Sequence, residues 1–166
     1  MRDTVHVKGL SDLARFMDTL PPKLERNVMR GALRAGMRVV QPVARANVHS
    51  VSGELARGLK ISTRARGGRV TASLRATGKH AHVAKWLEFG TAAHVIASKI
   101  GGMLAFGYGV FRKVVQHPGS RPKPFMRPAL DQQAGAAVVA SAEYMKKRLA
   151  TKHGLDTANI SIEVAE

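Results

Sequence analysis

The chain has 166 residues, 45% of them hydrophobic, and it carries 27 Lys and Arg against 11 Asp and Glu, a net charge of +16, with no cysteine. That length supports one modest core, so a single domain over 1–166 is expected rather than two independent ones. The lack of cysteine excludes a disulfide framework and thiolate metal sites, and no run of about 18 apolar residues is free of charge, which excludes a membrane-spanning helix.

The basic excess is regional: residues 1–124 hold 22 of the basic and 6 of the acidic side chains, while 125–166 hold 5 of each. Scattered rather than run together, these charges fit a folded basic surface that seeks polyanions or acidic protein surfaces. Met1-Arg2-Asp3-Thr4 leads into no apolar leader segment. The expectation is therefore a soluble protein made and used in the cytoplasm.

In chain order, Thr4 to Lys8 reads as a short extended start. Ser11 is the expected N-cap of a first helix, with Leu10 before it and Leu13, Phe16, Met17 and Leu20 as its apolar face. Pro21-Pro22 ends it, and Pro22 fits the first turn of a second helix from about Pro22 to Val48. Leu24, Val28, Ala32, Ala35, Val39, Val43 and Ala46 recur at steps of three or four along one side of that helix. Pro42 removes a backbone donor and crowds the preceding turn, which predicts a kink or a break near Arg38 to Pro42. Gly31 and Gly36 either lower the helix propensity by about 1 kcal/mol each or admit a close-packed neighbour. The helical N-terminal part thus covers 1–48.

Two β-hairpins with a Gly-rich loop are expected across 57–117. Leu59 to Arg64 and Arg69 to Arg75 alternate apolar or small with polar residues, with Arg66-Gly67-Gly68 between them. His82 to Glu88 has helical spacing at Val83, Trp86 and Leu87 and is closed by Gly90. His94 to Ala97, Met103 to Phe106 and Val110 to Gln116 are the strand-like pieces of a second antiparallel hairpin with a partly mobile connection. Gly101, Gly102 and Gly107 serve turns there or form an arm that orders on docking. Pro118 to Pro128 contains four prolines and reads as extended and stiff. Pro128 opens a last helix to about Lys152, within a C-terminal helical part over 125–153. Its expected face is Leu130, Ala134, Ala137, Val138, Ser141, Met145 and Leu149, and His153-Gly154 is its stop. The tail, 154–166, offers an edge strand at Ile160 to Val164. No internal repeat is visible. The fold class expected is α+β, a kinked long N-terminal helix and a C-terminal helix packed on a small, mainly antiparallel sheet.

Three ordered stretches resemble the tail-component family of long-tailed bacteriophages. The first is Gln41-Pro42-Val43-Ala44-Arg45-Ala46-Asn47 followed by Ser52-Gly53-Glu54-Leu55 and Leu59-Lys60-Ile61, similar to the family's helix end, Gly-containing turn and first strand. The second, Trp86-Leu87-Glu88-Phe89-Gly90-Thr91, is similar to its aromatic-Leu-Glu-aromatic-Gly-Thr signature. The third, His117-Pro118-Gly119-Ser120-Arg121-Pro122-Lys123-Pro124-Phe125-Met126-Arg127-Pro128-Ala129-Leu130, resembles the Pro-Phe-Met-Arg-Pro-Ala-Leu opening of the last helix. Its His-Pro-Gly lead is also similar to a group of transposable-phage morphogenesis proteins. Val48-His49-Ser50-Val51 departs from the family, whose members commonly have a Pro-containing turn there. The resemblance implies a structural virion protein of the phage neck, acting in tail completion, tail termination or head-tail connection. It also implies a homo-oligomeric ring, hexameric because tail tubes are sixfold. The implied partners are other neck, connector and tail-tube proteins, and viral double-stranded DNA held in the lumen without sequence specificity. No cofactor, metal or membrane is implied.

Several residues carry a bland and a functional reading together. Arg26, Arg30, Arg34 and Arg38 recur every fourth residue, and no acidic residue occurs between Glu25 and Glu54. A solvated helix face normally mixes signs, so this stripe is a candidate contact for DNA in a channel or for an acidic partner. Trp86 and Phe89 read as core or subunit contact rather than as a stacking platform, in a chain only 5% aromatic. With them, Glu88, Gly90, Thr91, Pro124, Phe125, Arg127 and Pro128 form the interface or core signature. Glu88 lacks a second acid at catalytic spacing. His80 and His82 would share one face of a strand, without a carboxylate at ligand spacing. No nucleophile triad and no phosphate-cradling loop is present, so no enzyme is expected. The alternative to a neck subunit is a free-standing basic nucleic-acid-binding protein, which accounts for +16 but not for the three ordered stretches.

Overall fold

The computed structural model describes residues 7–48, 52–98, 102–106, 110–153 and 163–164. The expectations placed on Thr4 to His6, His49 to Val51, Gly101, Gly107, Gly154 and Ile160 to Ile162 lie outside them. The elements run β1 (Val7–Lys8), α1 (Leu10–Asp18), α2 (Pro22–Ala46), α3 (Glu54–Arg57), β2 (Leu59–Arg66), β3 (Arg69–Ala76), α4 (Ala81–Phe89), β4 (His94–Ala97), β5 (Leu104–Phe106), β6 (Val110–Arg112), β7 (Val114–His117), α5 (Met126–His153) and β8 (Glu163–Val164). The fold is α+β with antiparallel pairing throughout, as expected. The chain divides into two compact units, Met1–Ala81 with Phe125–Glu166, and His82–Pro124.

The first unit is built on the pairing of α2 with α5. Helix α1 begins earlier than a cap at Ser11 would allow. Gly9 takes the left-handed conformation, φ 82°, and its carbonyl accepts the Leu13 amide at 3.1 Å, so Ser11 falls inside the first turn. The predicted face of α1 holds: Leu13 and Met17 are buried, and Leu10, Phe16 and Leu20 pack around them.

Helix α2 runs through Pro42 unbroken. Contacts with α5 on one side and with the β2–β3 hairpin on another outweigh the roughly 3 kcal/mol that an interior proline costs. Its buried row is Val28, Ala32, Gly36, Val40 and Ala44, a strict four-residue step; Val39 and Val43 are half-buried and Ala46 is exposed, unlike the predicted face. The reason is close approach. A Cβ on Gly36 would come within 2.6 Å of the Ala137 carbonyl oxygen, and one on Gly31 would meet the Tyr144 ring. Both glycines therefore admit a close neighbour, which offsets their poor propensity.

Helix α5 opens two residues before Pro128, which sits in the first turn where no amide donor is required. Ala129, Ala142, Met145 and Leu149 are buried, whereas Leu130 and Val138 of the predicted face are exposed. Small and apolar residues surround this helix, so its own pattern does not pick a side; the row of small residues on α2 does. Leu13, Met17, Val28, Ala32, Ala142, Met145 and Leu149 form one core.

The hairpin of β2 and β3 pairs Leu59 with Ala76 through to Arg66 with Arg69. Gly67 and Gly68, at φ 55° and 73°, make the two-residue turn whose positive φ values suit the twist of the strands. The single-turn helix α3 was not expected; it buries Leu55. In the second unit β4 pairs with β7 and β5 with β6, so the three strand-like pieces make two short ladders instead of one hairpin. No helix among the described residues is long and apolar enough to cross a membrane.

Candidate functional site

Arg26, Arg30, Arg34 and Arg38 are all exposed, and each precedes a member of the buried α2 row by two residues. Two residues are about 200° of helix, so the row points away from the core side. Arg30, Arg34 and Arg38 floor a groove of about 380 Å³ together with Asn27, and Thr63 of β2 and Tyr144 of α5 line it as well. Arg34 Nη2 reaches Thr63 Oγ1 at 3.5 Å, the outer limit of a hydrogen bond. Arg26 meets Arg66 and Arg69 of the hairpin turn around a second hollow of about 160 Å³. Six guanidiniums thus line two hollows, and among the described residues none of the six makes an ion pair with a carboxylate; Arg15 with Asp12 and His80 with Glu54 do pair.

A second basic surface lies on the hairpin of β2 and β3. Residues 59, 61, 63 and 65 of β2 share one face of the hairpin with 70, 72, 74 and 76 of β3, and these are buried or half-buried. The other face carries Lys60, Arg64, Arg66, Arg69 and Arg75, all exposed. Lys60 stands opposite Arg75 and Arg66 opposite Arg69, like-charge pairs that oppose strand pairing. The alternation that revealed the strands also contained this surface, since every second residue is basic or a small hydroxyl.

The signature stretches act locally. In the first, Gln41 Nε2 and Arg45 Nη2 both donate to the Leu59 carbonyl, at 2.7 and 3.1 Å, and so tie the end of α2 to the start of β2. The second and third meet inside the His82–Pro124 unit. Thr91 and Ser120 exchange backbone hydrogen bonds at 3.0 and 3.1 Å, and the Lys123 amide donates to the Leu87 carbonyl at 2.7 Å. Gly90, at φ 74°, is required by its conformation and by space, because a Cβ would come within 2.5 Å of the Ser120 carbonyl oxygen.

Trp86 and Phe89 are 50% and 57% exposed, which removes the core alternative for both. They stand three residues apart on α4 and so share a face; the His82 ring meets Trp86 edge-on at 4.9 Å. Glu88, by contrast, is 7% exposed. Phe125 is sealed at 1%, Pro128 is half-buried, and Pro124 and Arg127 are exposed. His80 and His82 share no strand: His80 sits in a turn, its Nε2 2.8 Å from Glu54 Oε2, and His82 is in α4. The histidine pair that does meet is His94 with His117, stacked at 4.9 Å across β4 and β7. Among the described residues no three His, Asp or Glu side chains lie close enough to hold a metal ion.

Residues 11–90 match a family model described as Bacteriophage HK97-gp10, putative tail-component. Over that stretch, 80 of its 166 residues, the chain is similar to this family of phage tail components. The matched stretch runs from α1 to the end of α4, and so includes the arginine row, the Gln41–Arg45 tie and Trp86 to Gly90. A search of curated proteins found no match to this chain, and a search of solved structures found none.

Proposed function

We propose that this chain is a structural subunit of the phage neck, forming a hexameric ring that completes the tail and joins it to the head around the DNA channel. The observation that carries the reading is the exposure of Trp86 and Phe89 within the signature. Large aromatic side chains exposed on one helix face are the usual anchors of protein contacts. Two backbone ties, Thr91 to Ser120 and Lys123 to Leu87, hold the chain around them in place. In a closed ring such a patch meets a different patch on the next subunit. The subunit works through shape and charge, with no reactive centre, cofactor or membrane anchor. Its partners are neck, connector and tail-tube proteins and the viral double-stranded DNA in the lumen. It is assembled in the host bacterial cytoplasm and resides at the top of the tail.

The test is complementation of tail-joining in an extract that lacks the chain. The Trp86→Ala/Phe89→Ala variant should fold, judged by circular dichroism, and yet leave heads and tails separate. Full joining by that variant contradicts the reading. A free-standing nucleic-acid-binding protein is favoured by the arginine groove alone. It would bind DNA with a steep salt dependence and form no ring with or without tails.

A further inference from the structure

The arginine groove has a chemical preference of its own. Its lining is Asn27, Arg30, Arg34, Arg38, Thr63 and Tyr144 around Gly31, so every side chain in it presents a hydrogen-bonding group and none is an aliphatic anchor. A protein–protein contact centres on apolar surface, which this groove lacks, while Arg, Asn, Thr and Tyr are usual donors to phosphate oxygens. The exposed apolar side chains of the first unit, Leu130 and Val138, do not line the groove.

A second copy of this chain is a poor occupant. From Asp12 to Glu143 no acidic residue stands within five positions of another, so no surface helix there offers a carboxylate row to match guanidiniums at every fourth residue. The occupant has to bring closely and regularly spaced negative charge. From Arg26 to Arg38 the row extends about 18 Å along the axis of α2. That length of duplex carries on the order of ten phosphates. The charge of the row is also unrelieved in the free chain, because three like-charge neighbours at four-residue spacing destabilise the helix that bears them.

We propose that this groove, extended past Arg26 to Arg66 and Arg69 at the hairpin turn, is a site for the phosphate backbone of double-stranded DNA. The neck reading supplies only the source of that DNA. The site holds the backbone and does not read base edges, because a groove floored by one helix face and flanked by a strand offers no element narrow and protruding enough to enter the duplex.

The experiment is fluorescence anisotropy of the full chain with a short labelled duplex of arbitrary sequence, across a salt series. The wild-type chain should bind, and Arg30→Gln/Arg34→Gln should lower the slope of log K against log salt by about 2. Affinity should fall about tenfold for each guanidinium removed, and Arg30→Lys/Arg34→Lys should keep the slope. The matched control is Arg64→Gln/Arg75→Gln, an equal charge change on the outer face of the hairpin, whose effect should be several-fold smaller. Thermal melts add a readout that a purely structural role would reverse, since the Arg30→Gln/Arg34→Gln chain should melt slightly higher when free and gain less from added duplex. Equal losses in the two double variants overturn the site, as does displacement of the duplex by poly-glutamate at equal charge concentration, which would make it a carboxylate site. Virions without the chain would remove the neck reading and leave these binding results standing.

Discussion

In the unit formed by Met1–Ala81 and Phe125–Glu166, Leu13, Val28, Leu59, Phe125 and Leu149 are sealed from solvent. In His82–Pro124 the buried residues among those described are Ala84 and Glu88 alone, and Trp86, Phe89, Val95, Met103 and Val114 stand exposed. Every buried apolar residue among those described, except Ala84, belongs to the first unit. The second is made of one short helix and two two-stranded ladders, and ribbons of that kind are marginal without something to pack on. In the ladder of β4 and β7 the face with Val95, Ala97, Val114 and Gln116 is exposed, while Ile96, Val115 and His117 of the opposite face are half-buried. The contrast separates two surfaces. One unit carries the buried core and a charged face, and the other carries the exposed large apolar side chains.

The largest test of that division is a pair of truncations. Phe125→Ala empties a fully buried site and should cost about 3–5 kcal/mol in chemical denaturation. Trp86→Ala should change stability by less than about 1 kcal/mol, since its ring is already half in water, while blocking assembly. Equal destabilisation by the two would erase the distinction. Next in size is Gly36→Ala. Helix propensity alone favours alanine by about 1 kcal/mol, but the new methyl meets the Ala137 backbone, which has nowhere to go, so a net loss of about 1–3 kcal/mol is expected. Gly31→Ala meets the Tyr144 side chain, which can rotate, and should cost less; a reversed order would mean that the helices slide apart easily.

Smaller again is Gln41→Ala, which removes one of the two donors to the Leu59 carbonyl and should lower the melting free energy by about 1 kcal/mol. The effect should be felt in the first unit only, and hydrogen exchange of the β2 and β3 amides would report it. Smallest is Arg30→Gln, which should raise the stability of the free chain by a few tenths of a kcal/mol by relieving its neighbours at positions 26 and 34. A loss of stability there would mean that the row is braced within the fold rather than held ready for an external anion.

The hairpin of β2 and β3 was legible because alternation and a Gly-Gly turn are both local signals. Helix α2 was legible for its length, but not for which side it buries. Leu24, Val28 and Ala32 fit either a mixed three-and-four step or a strict four-residue step, and only the approach of Ala137 and Ser141, about a hundred positions away, selects the row through Gly36. The arginine row was visible as a stripe, whereas its groove was not, because Thr63 and Tyr144 come from separate elements. Arg66 in the expected turn and Arg69 at the start of the expected strand carried no functional reading from sequence, although their register opposite one another follows from the two-residue turn. A single helical turn such as α3 leaves too short a periodic trace to detect. The signature residues were recognised as a set, and Glu88 between Leu87 and Phe89 was legible as partly buried, but the sequence did not reveal that Trp86 and Phe89 face outward while Phe125 is sealed, since apolar residues in short segments carry no side preference.

The most direct measurement is a cryo-EM reconstruction of the virion neck at a resolution that traces helices. The account predicts six copies of this chain in a ring between head and tail tube, Trp86 and Phe89 covered by a neighbouring subunit, and the α2 guanidiniums turned toward the DNA in the lumen. A neck whose density is filled by other chains, or copies of this one that touch no neighbour through the His82–Pro124 unit, would contradict it.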